Sequence, residues 1–495
     1  MAHITRRGFL SAVAGGAAVS TCHPALSAAE AAGGGSGERL NVLFIAVDDL
    51  RPQLGCYGQE QILSPNIDRL AGEGLLLERA YCQQAVCMPS RASLMSGYRP
   101  DKGEIYRCGP LYQHVPDALS MNMHFQAHGY ETISIGKIYH HRSDDSQGWS
   151  KPAYHPRGEW KGRGYMSEAG QAIALEYDRT HPDAKRRGMG PAFEAADVPD
   201  NAYADGMSAD RALEELNRLK DRPFFLATGF LKPHLPFNAP TKYWDLYPEN
   251  EIDLAKNPLA PEGMPRYAGT SWGELRGYAG MPAKGPMPDD LARQLIHGYY
   301  ACVSYMDAQV GRLLDELDRL DLRSNTVVML WGDHGWKLGE HGMWCKHTNF
   351  EIDAHAPMTV SAPGMGAAGQ TTSALTEFVD MYPTLCELCQ LPLPDHLEGT
   401  SMAPLLDDPE REWKSAAFSQ YPRGDIMGYS MRTERYRYTE WQDLKSGKVE
   451  AVELYDHEKD PAENVNGAEL PENADTVKRL AEMLKAGWRE AVPPT

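Results

Sequence analysis

Past its first thirty residues this 495-residue chain has no apolar run of membrane-spanning length, which excludes a helical membrane protein for that stretch. Basic residues are in deficit: 49 Lys and Arg stand against 68 Asp and Glu, a formal charge of -19. That balance argues against nucleic acid as a partner and fits a well-solvated enzyme. The nine cysteines are odd in number and follow no disulfide spacing. No internal repeat or low-complexity tract follows residue 36. What remains is length enough for one large α/β domain and a smaller one.

The first residues differ from the rest. "ITRRGFLSAVAGGAAVSTCHPALSAAEA" pairs Arg6 with Arg7, then runs through Phe9-Leu10 and small apolar residues to a small-residue region around Ala25–Ala29. This reads as a twin-arginine export signal over 1–29. Cys22 fits lipid attachment poorly, because a threonine precedes it. Gly33–Gly35 mark a linker over 30–38, and the folded part is expected from residue 39. The expected destination is the periplasm or the exterior, by way of the twin-arginine machinery.

Strand-length apolar runs alternate with helical patterns, which predicts an α/β fold with a large, mixed, mostly parallel sheet sandwiched by helices. Several runs end in chemistry. "NVLFIAV" ends in Asp48-Asp49, and "TVVMLW" ends in Gly332-Asp333-His334. "ETISI" ends in Gly136-Lys137 with His140 close behind, and "FFLATGF" leads into Lys232, Pro233 and His234. In such sheets ligands bind beyond the carboxyl ends of the strands, so these residues are expected at one rim.

Three carboxylates and an imidazole (Asp48, Asp49, Asp333, His334) suit a hard divalent cation, calcium or magnesium. Lysines, an arginine and histidines around it suit an anionic tetrahedral group, with histidines moving protons to and from its bridging atoms. The deduction is phosphoryl or sulfuryl transfer, and spacing does not choose between them. "QQAVCMPSRASLMSG" (83–97) places Cys87, Pro89 and Arg91 at a predicted helix start. Cys87 there reads either as a buried small hydrophobe or as a nucleophile with an arginine one turn on.

Together these residues resemble a type I sulfatase of the alkaline-phosphatase superfamily. "CMPSRASLMSG" resembles the family's first signature and "GYETISIGKIYH" (129–140) its second. "LGCYG", "SPNID", "KPHLPF", "DHGWKLGEHGMW", "SQYPR" and "IMGYSMRT" resemble the iduronate-2-sulfatase-like branch, over about residues 40 to 465. Met88 departs from the small residue usual there, and the insertion between "SQYPR" and "IMGYS" is nearly absent. His334 stands where most sulfatases carry asparagine, a histidine that the iduronate-type branch shares.

The resemblance implies that Cys87 is oxidised to formylglycine by a maturation enzyme that reads Pro89 and Arg91. The hydrate's one oxygen would attack sulfur while the other expels sulfate by re-forming the aldehyde. It further implies calcium held by Asp48, Asp49, Asp333, His334 and an oxygen of modified Cys87. Arg91 and Lys137 would hold charge near the nucleophile, and His140 would be the base. His234 and Lys346 would contact the sulfate and the bridging oxygen, one of them serving as acid.

The substrate expected from that branch is a 2-O-sulfated uronic acid at the end of a polysaccharide, with His347 and Arg423 as candidate partners of its carboxylate. Three rivals stand beside it: a phosphonate or phosphate monoester hydrolase on the same scaffold, a sulfatase acting on another sulfated glycan, and a non-catalytic, calcium-stabilised glycan-binding protein. The catalytic domain is expected over 39–406. A small α+β subdomain with an antiparallel sheet is expected over 407–495, with a helix from about 474 to 490. Tyr436, Tyr438 and Trp441 are read as strand packing, and Cys386 and Cys389 as part of a core helix.

Overall fold

A computed structural model describes residues 39–156, 164–183 and 188–493; the proposed export signal and linker lie outside them. The main sheet has seven strands: β1 (Asn41–Val47), β2 (Leu75–Tyr81), β3 (Glu131–Gly136), β4 (Phe224–Phe230), β5 (Thr326–Gly332), β6 (Met358–Ser361) and β7 (Gln370–Glu377). Their spatial order is β7-β2-β6-β5-β1-β4-β3. Only β6 runs antiparallel to its neighbours. The mixed, mostly parallel sheet is therefore as the apolar runs predict.

All seven residues of β1 are buried, and they alternate between two cores. Leu43, Ile45 and Val47 enter one cluster, Val42, Phe44 and Ala46 the other. A strand covered on both faces reads as a continuous apolar run, which is what "NVLFIAV" is. Helices α1 (Pro65–Glu73), α3 (Ala204–Leu219) and the long α4 (Asp289–Arg319) cover the first face. Helices α2 (Cys87–Ser96) and α5 (Met381–Leu388) cover the second. Cys386 is fully buried in α5 and Cys389 nearly so just past its end, as core residues. Each fully buried Leu, Ile, Val or Phe contributes about 1.5–3 kcal/mol, so the strand that carries the first two acids is firmly anchored.

Strands β8 (Ala416–Arg423), β9 (Ile426–Thr433), β10 (Tyr436–Asp443) and β11 (Val449–Asp456) form an antiparallel meander. Tyr438 and Trp441 lie on opposite faces of β10. Tyr438 packs with Leu480 of helix α6 (Ala474–Ala486), and Trp441 joins the main core, its indole N–H donating to Glu453 at 2.7 Å. Both are packing residues. Helix α6 stops short of residue 490 because Gly487 turns to φ 81, and residues 488–490 form a separate 3-10 turn.

Candidate active site

Four parallel strands, β5-β1-β4-β3, stand side by side and end level. Val47 pairs with both Gly332 and Phe230, and Gly136 pairs with Gly229. The next residues therefore meet. Asp333 N–H donates to Val47 O at 3.0 Å, Asp48 N–H to Phe230 O at 3.2 Å, and Lys137 N–H to Gly229 O at 3.0 Å. Glycine is required at the last crossing. A Cβ on Gly136, already at φ +73, would stand 2.0 Å from Gly229 O, and one on Gly229 would stand 2.1 Å from Lys137 O.

Cys87 opens α2 from the opposite side, with no side chain capping the helix. The free N–H groups of that first turn favour negative charge beside residue 87. Arg91, one turn on, is fully buried and uses its whole fork. Its Nε donates to Asp333 Oδ2 at 2.8 Å, Nη2 lies 3.5 Å from Asp48 Oδ1, and Nη1 reaches the Lys137 and Ile138 carbonyls. Lys137 Nζ pairs with Asp48 Oδ2. Burial pushes the Asp48 carboxyl up, yet Lys137, His234 and Arg91 together hold it well below the usual range. At Asp49 burial wins over Lys346 and the carboxyl is raised. Asp49 also sits at φ 61, a left-handed conformation seldom used outside glycine, which turns its side chain into the cluster.

The donors for a cation converge. Ligand atoms of Asp49, Cys87, Asp333 and His334 lie within 4.8 Å of one another, and so do those of Asp48, Cys87 and His234. His334 Nδ1 faces the Gly335 carbonyl at 2.9 Å and therefore carries the proton. Its Nε2 lone pair then points at Asp49 Oδ1 (3.3 Å), Asp333 Oδ1 (3.5 Å) and Cys87 Sγ (3.3 Å). Electron pairs so directed at one point suit a metal ion. The carboxylates of Asp48, Asp49 and Asp333 are balanced by Arg91, Lys137 and Lys346. An added divalent cation would leave the cluster positive and suited to an anionic ester.

Burial and Asp48 push the Cys87 thiol well above its usual value, so as plain cysteine it stays protonated and weakly nucleophilic. Lys346 follows the short hairpin of Lys337–Leu338 and Trp344–Cys345, and its Nζ reaches both Asp49 oxygens at 2.8 and 3.0 Å. His234 lies 3.9 Å from Asp49 through Nε2, while its Nδ1 faces the Leu235 carbonyl at 2.6 Å. His140 lies within reach of the charges of Lys137, Asp48 and Arg91. Its surface is partly open to solvent and its ring lies edge-on to His141 at 4.9 Å; desolvation of the ring by the groups packed around it, and then the charge of Lys137, lower its imidazole to about 3.

Glu274 is a member that the sequence motifs do not reveal. It lies 3.3 Å from His234 Nε2 and 3.2 Å from Lys346 Nζ, in a loop without strand or signature. Arg423 answers differently from the expectation of a carboxylate partner. Its N–H groups reach the carbonyls of Tyr267, Gly269, His347 and Pro422, so it ties β8 to two loops. His347 sits at φ 88 with its ring 6.0 Å from Tyr421; burial and Lys346 lower its imidazole to about 3, so it is neutral.

The chain matches the sulfatase family over residues 40–391, and N-sulphoglucosamine sulphohydrolase, C-terminal, over 339–490. It is 34% identical to human (Homo sapiens) iduronate 2-sulfatase, over 87% of this chain and 91% of that protein. A sulfatase of Formosa agariphila is 30% identical, over 91% of this chain and 88% of its own length. The fold is similar to that of BT4656 in complex with its substrate D-glucosamine-2-N,6-O-disulfate: TM-score 0.73, 22% identity, covering 92% of this chain and 98% of that one. The chain belongs to the sulfatase family of the alkaline-phosphatase superfamily, in its iduronate-2-sulfatase-like branch, and is a sulfuric ester hydrolase. The family generally uses a metal ion and a formylglycine, and the donor set and the Cys87 signature here are of the kind both require.

Proposed function

We propose that the protein removes the 2-O-sulfate from a uronic acid at the non-reducing end of a sulfated polysaccharide, after export to the periplasm or beyond. The observation that carries this reading is the 34% identity spanning 91% of human iduronate 2-sulfatase. The phosphonate rival rests on solved structures no more than 24% identical, a likeness of fold alone.

In this reading Asp48, Asp49, Asp333, His334 and residue 87 hold a divalent cation, calcium by family likeness. When bound, the cation supplies positive charge that orients sulfate oxygens and favours ionisation of the attacking hydroxyl. A formylglycine at residue 87, made by a maturation enzyme, would supply a hydrated aldehyde as the nucleophile toward sulfur and the means of releasing sulfate afterwards. This chain's own residues do the rest. Arg91 and Lys137 fix the acids and keep cationic charge beside residue 87. His140, held neutral and partly open to solvent, accepts the second hydroxyl's proton. Lys346 and His234 face the sulfate and the bridging oxygen. With Arg423 spent on carbonyls, His347 is the one left of the two expected partners of a uronate carboxylate.

The test is a panel of oligosaccharides, each sulfated at one position. Release from terminal 2-O-sulfated uronates is expected. Release confined to 6-O-sulfated hexosamines would overturn the substrate assignment.

A further inference from the structure

Two stretches outside regular strands and helices carry the later residues of the site. Residues 333–335 bring Asp333 and His334, and residues 345–348 bring Lys346 and His347. The second stretch follows a strained path, with Cys345 at φ 68 and His347 at φ 88. Non-glycine residues stay in that region only where their surroundings over-determine them. His347 is bracketed by the Ala85 carbonyl, which accepts its N–H at 3.3 Å, and by Arg423, which donates to its carbonyl.

Asp353 meets both stretches. It lies in the four-residue helix Glu351–Ala354 and has no exposed surface. Its carbonyl accepts the Gly335 N–H at 2.8 Å, next to the expected metal ligands. Its carboxylate Oδ2 accepts the Thr348 N–H at 3.0 Å and the Thr348 hydroxyl at 2.5 Å. The same oxygen accepts from the Lys337 ammonium, which also donates to Thr348 Oγ1 at 2.7 Å. That hydroxyl accepts from the Phe350 N–H at 3.3 Å as well, so its one proton and both lone pairs are used. Lys337 pairs with Cys345 across the hairpin, and its side chain therefore ties the hairpin to the turn that follows.

Stability does not account for this arrangement. Lys337 and Asp353 are both fully buried, and a buried ion pair is often no better for stability than apolar residues of similar volume. Asp353 Oδ1 is buried without a partner among the described residues, which is a further cost. What the cluster supplies is a fixed place for Thr348, two residues after Lys346.

Building on the sulfatase reading, we infer that Asp353 is a positioning residue, with Lys337 and Thr348 as its partners. Its side chain sets Lys346 and His347 against the substrate, while its main chain separately steadies the stretch that holds Asp333 and His334. Changes to the side-chain cluster therefore disturb the first and spare the second.

The experiment uses matured, metal-loaded protein. It reads sulfate release from a 2-O-sulfated uronate disaccharide, divalent-cation affinity by competition with a chelator, and a melting curve. Thr348→Ser keeps the hydroxyl and is expected within about threefold of wild type in kcat/KM. Thr348→Val loses it and is expected about 10- to 30-fold lower, with cation affinity within about threefold. Lys337→Met with Asp353→Leu removes both charges together and leaves neither unpaired; it is expected about 30-fold lower, again with cation affinity within about threefold. Should that double variant fail to fold, the two Thr348 variants decide. Equal rates for Thr348→Ser and Thr348→Val, or rates that fall in step with cation affinity, would overturn the inference and leave the sulfatase reading standing. Wild-type protein that released no sulfate from the disaccharide or from 4-nitrophenyl sulfate would overturn both.

Discussion

Arg91→Ala should be the most damaging single truncation in the site's framework. The guanidinium has no exposed surface and faces Asp333 at 2.8 Å, Asp48 at 3.5 Å and two backbone carbonyls. Removing one partner of a buried ion pair costs about 3–5 kcal/mol, because the carboxylates left behind are uncompensated. No discount for solvent screening applies at zero exposure. A chain of this length loses about 2.1 cal/mol/K of entropy per residue on folding, or roughly 1 kcal/mol/K in all, so the melting temperature should fall by roughly 3–5 °C. Arg91→Lys keeps the charge but not the fork and should fall by about half as much. Calorimetry on metal-saturated and chelator-stripped protein, with sulfate release on the same samples, reads the effect. A shift below about 1 °C with activity intact would refute the claim that this arginine holds the two acids in place.

Glu453 is buried and its carboxyl is pushed up to about 7, chiefly by that burial, while it accepts from Trp441 and Tyr455. Its folded value lies above the unfolded value of about 4.3, so the folded state loses stability as pH rises from about 4 to 7; Glu453→Gln should match wild type at pH 5 and exceed it by about 2–3 kcal/mol at pH 8, a gap that urea titration at both values would expose or exclude. Asp333→Asn should weaken divalent-metal binding and lower turnover together, and full activity in protein shown metal-free by elemental analysis would contradict the metal assignment. Arg6→Lys with Arg7→Lys should leave precursor in the cytoplasm of a twin-arginine-competent host, and unchanged periplasmic delivery would point to another route.

The site was legible where it is built from strand ends. Each of β1, β3, β4 and β5 is an apolar run followed by a polar residue or a short polar loop, and parallel neighbours bring such endings to one rim. Cys87 and Arg91 were legible through spacing, since one helical turn separates them. Glu274 was not. Its place in the site comes from a left-handed Trp272 and a four-residue helix in a loop, which no periodicity marks. Arg423 shows the converse: its place in a signature suggested ligand binding, whereas the carbonyls that consume its donors are distant in sequence. The end of α6 turned on one glycine, Gly487, whose positive φ was not evident from apolar spacing.

In the proposed function, residue 87, matured from cysteine, removes sulfate from a terminal 2-O-sulfated uronate. The most direct measurement is sulfate released by ion chromatography from that one disaccharide, wild type beside Cys87→Ala of equal melting temperature. Stoichiometric release is expected from the wild type and at least about a thousandfold less from the alanine variant. Comparable release by both proteins, or none from the wild type while it hydrolyses a phosphonate ester, would contradict it.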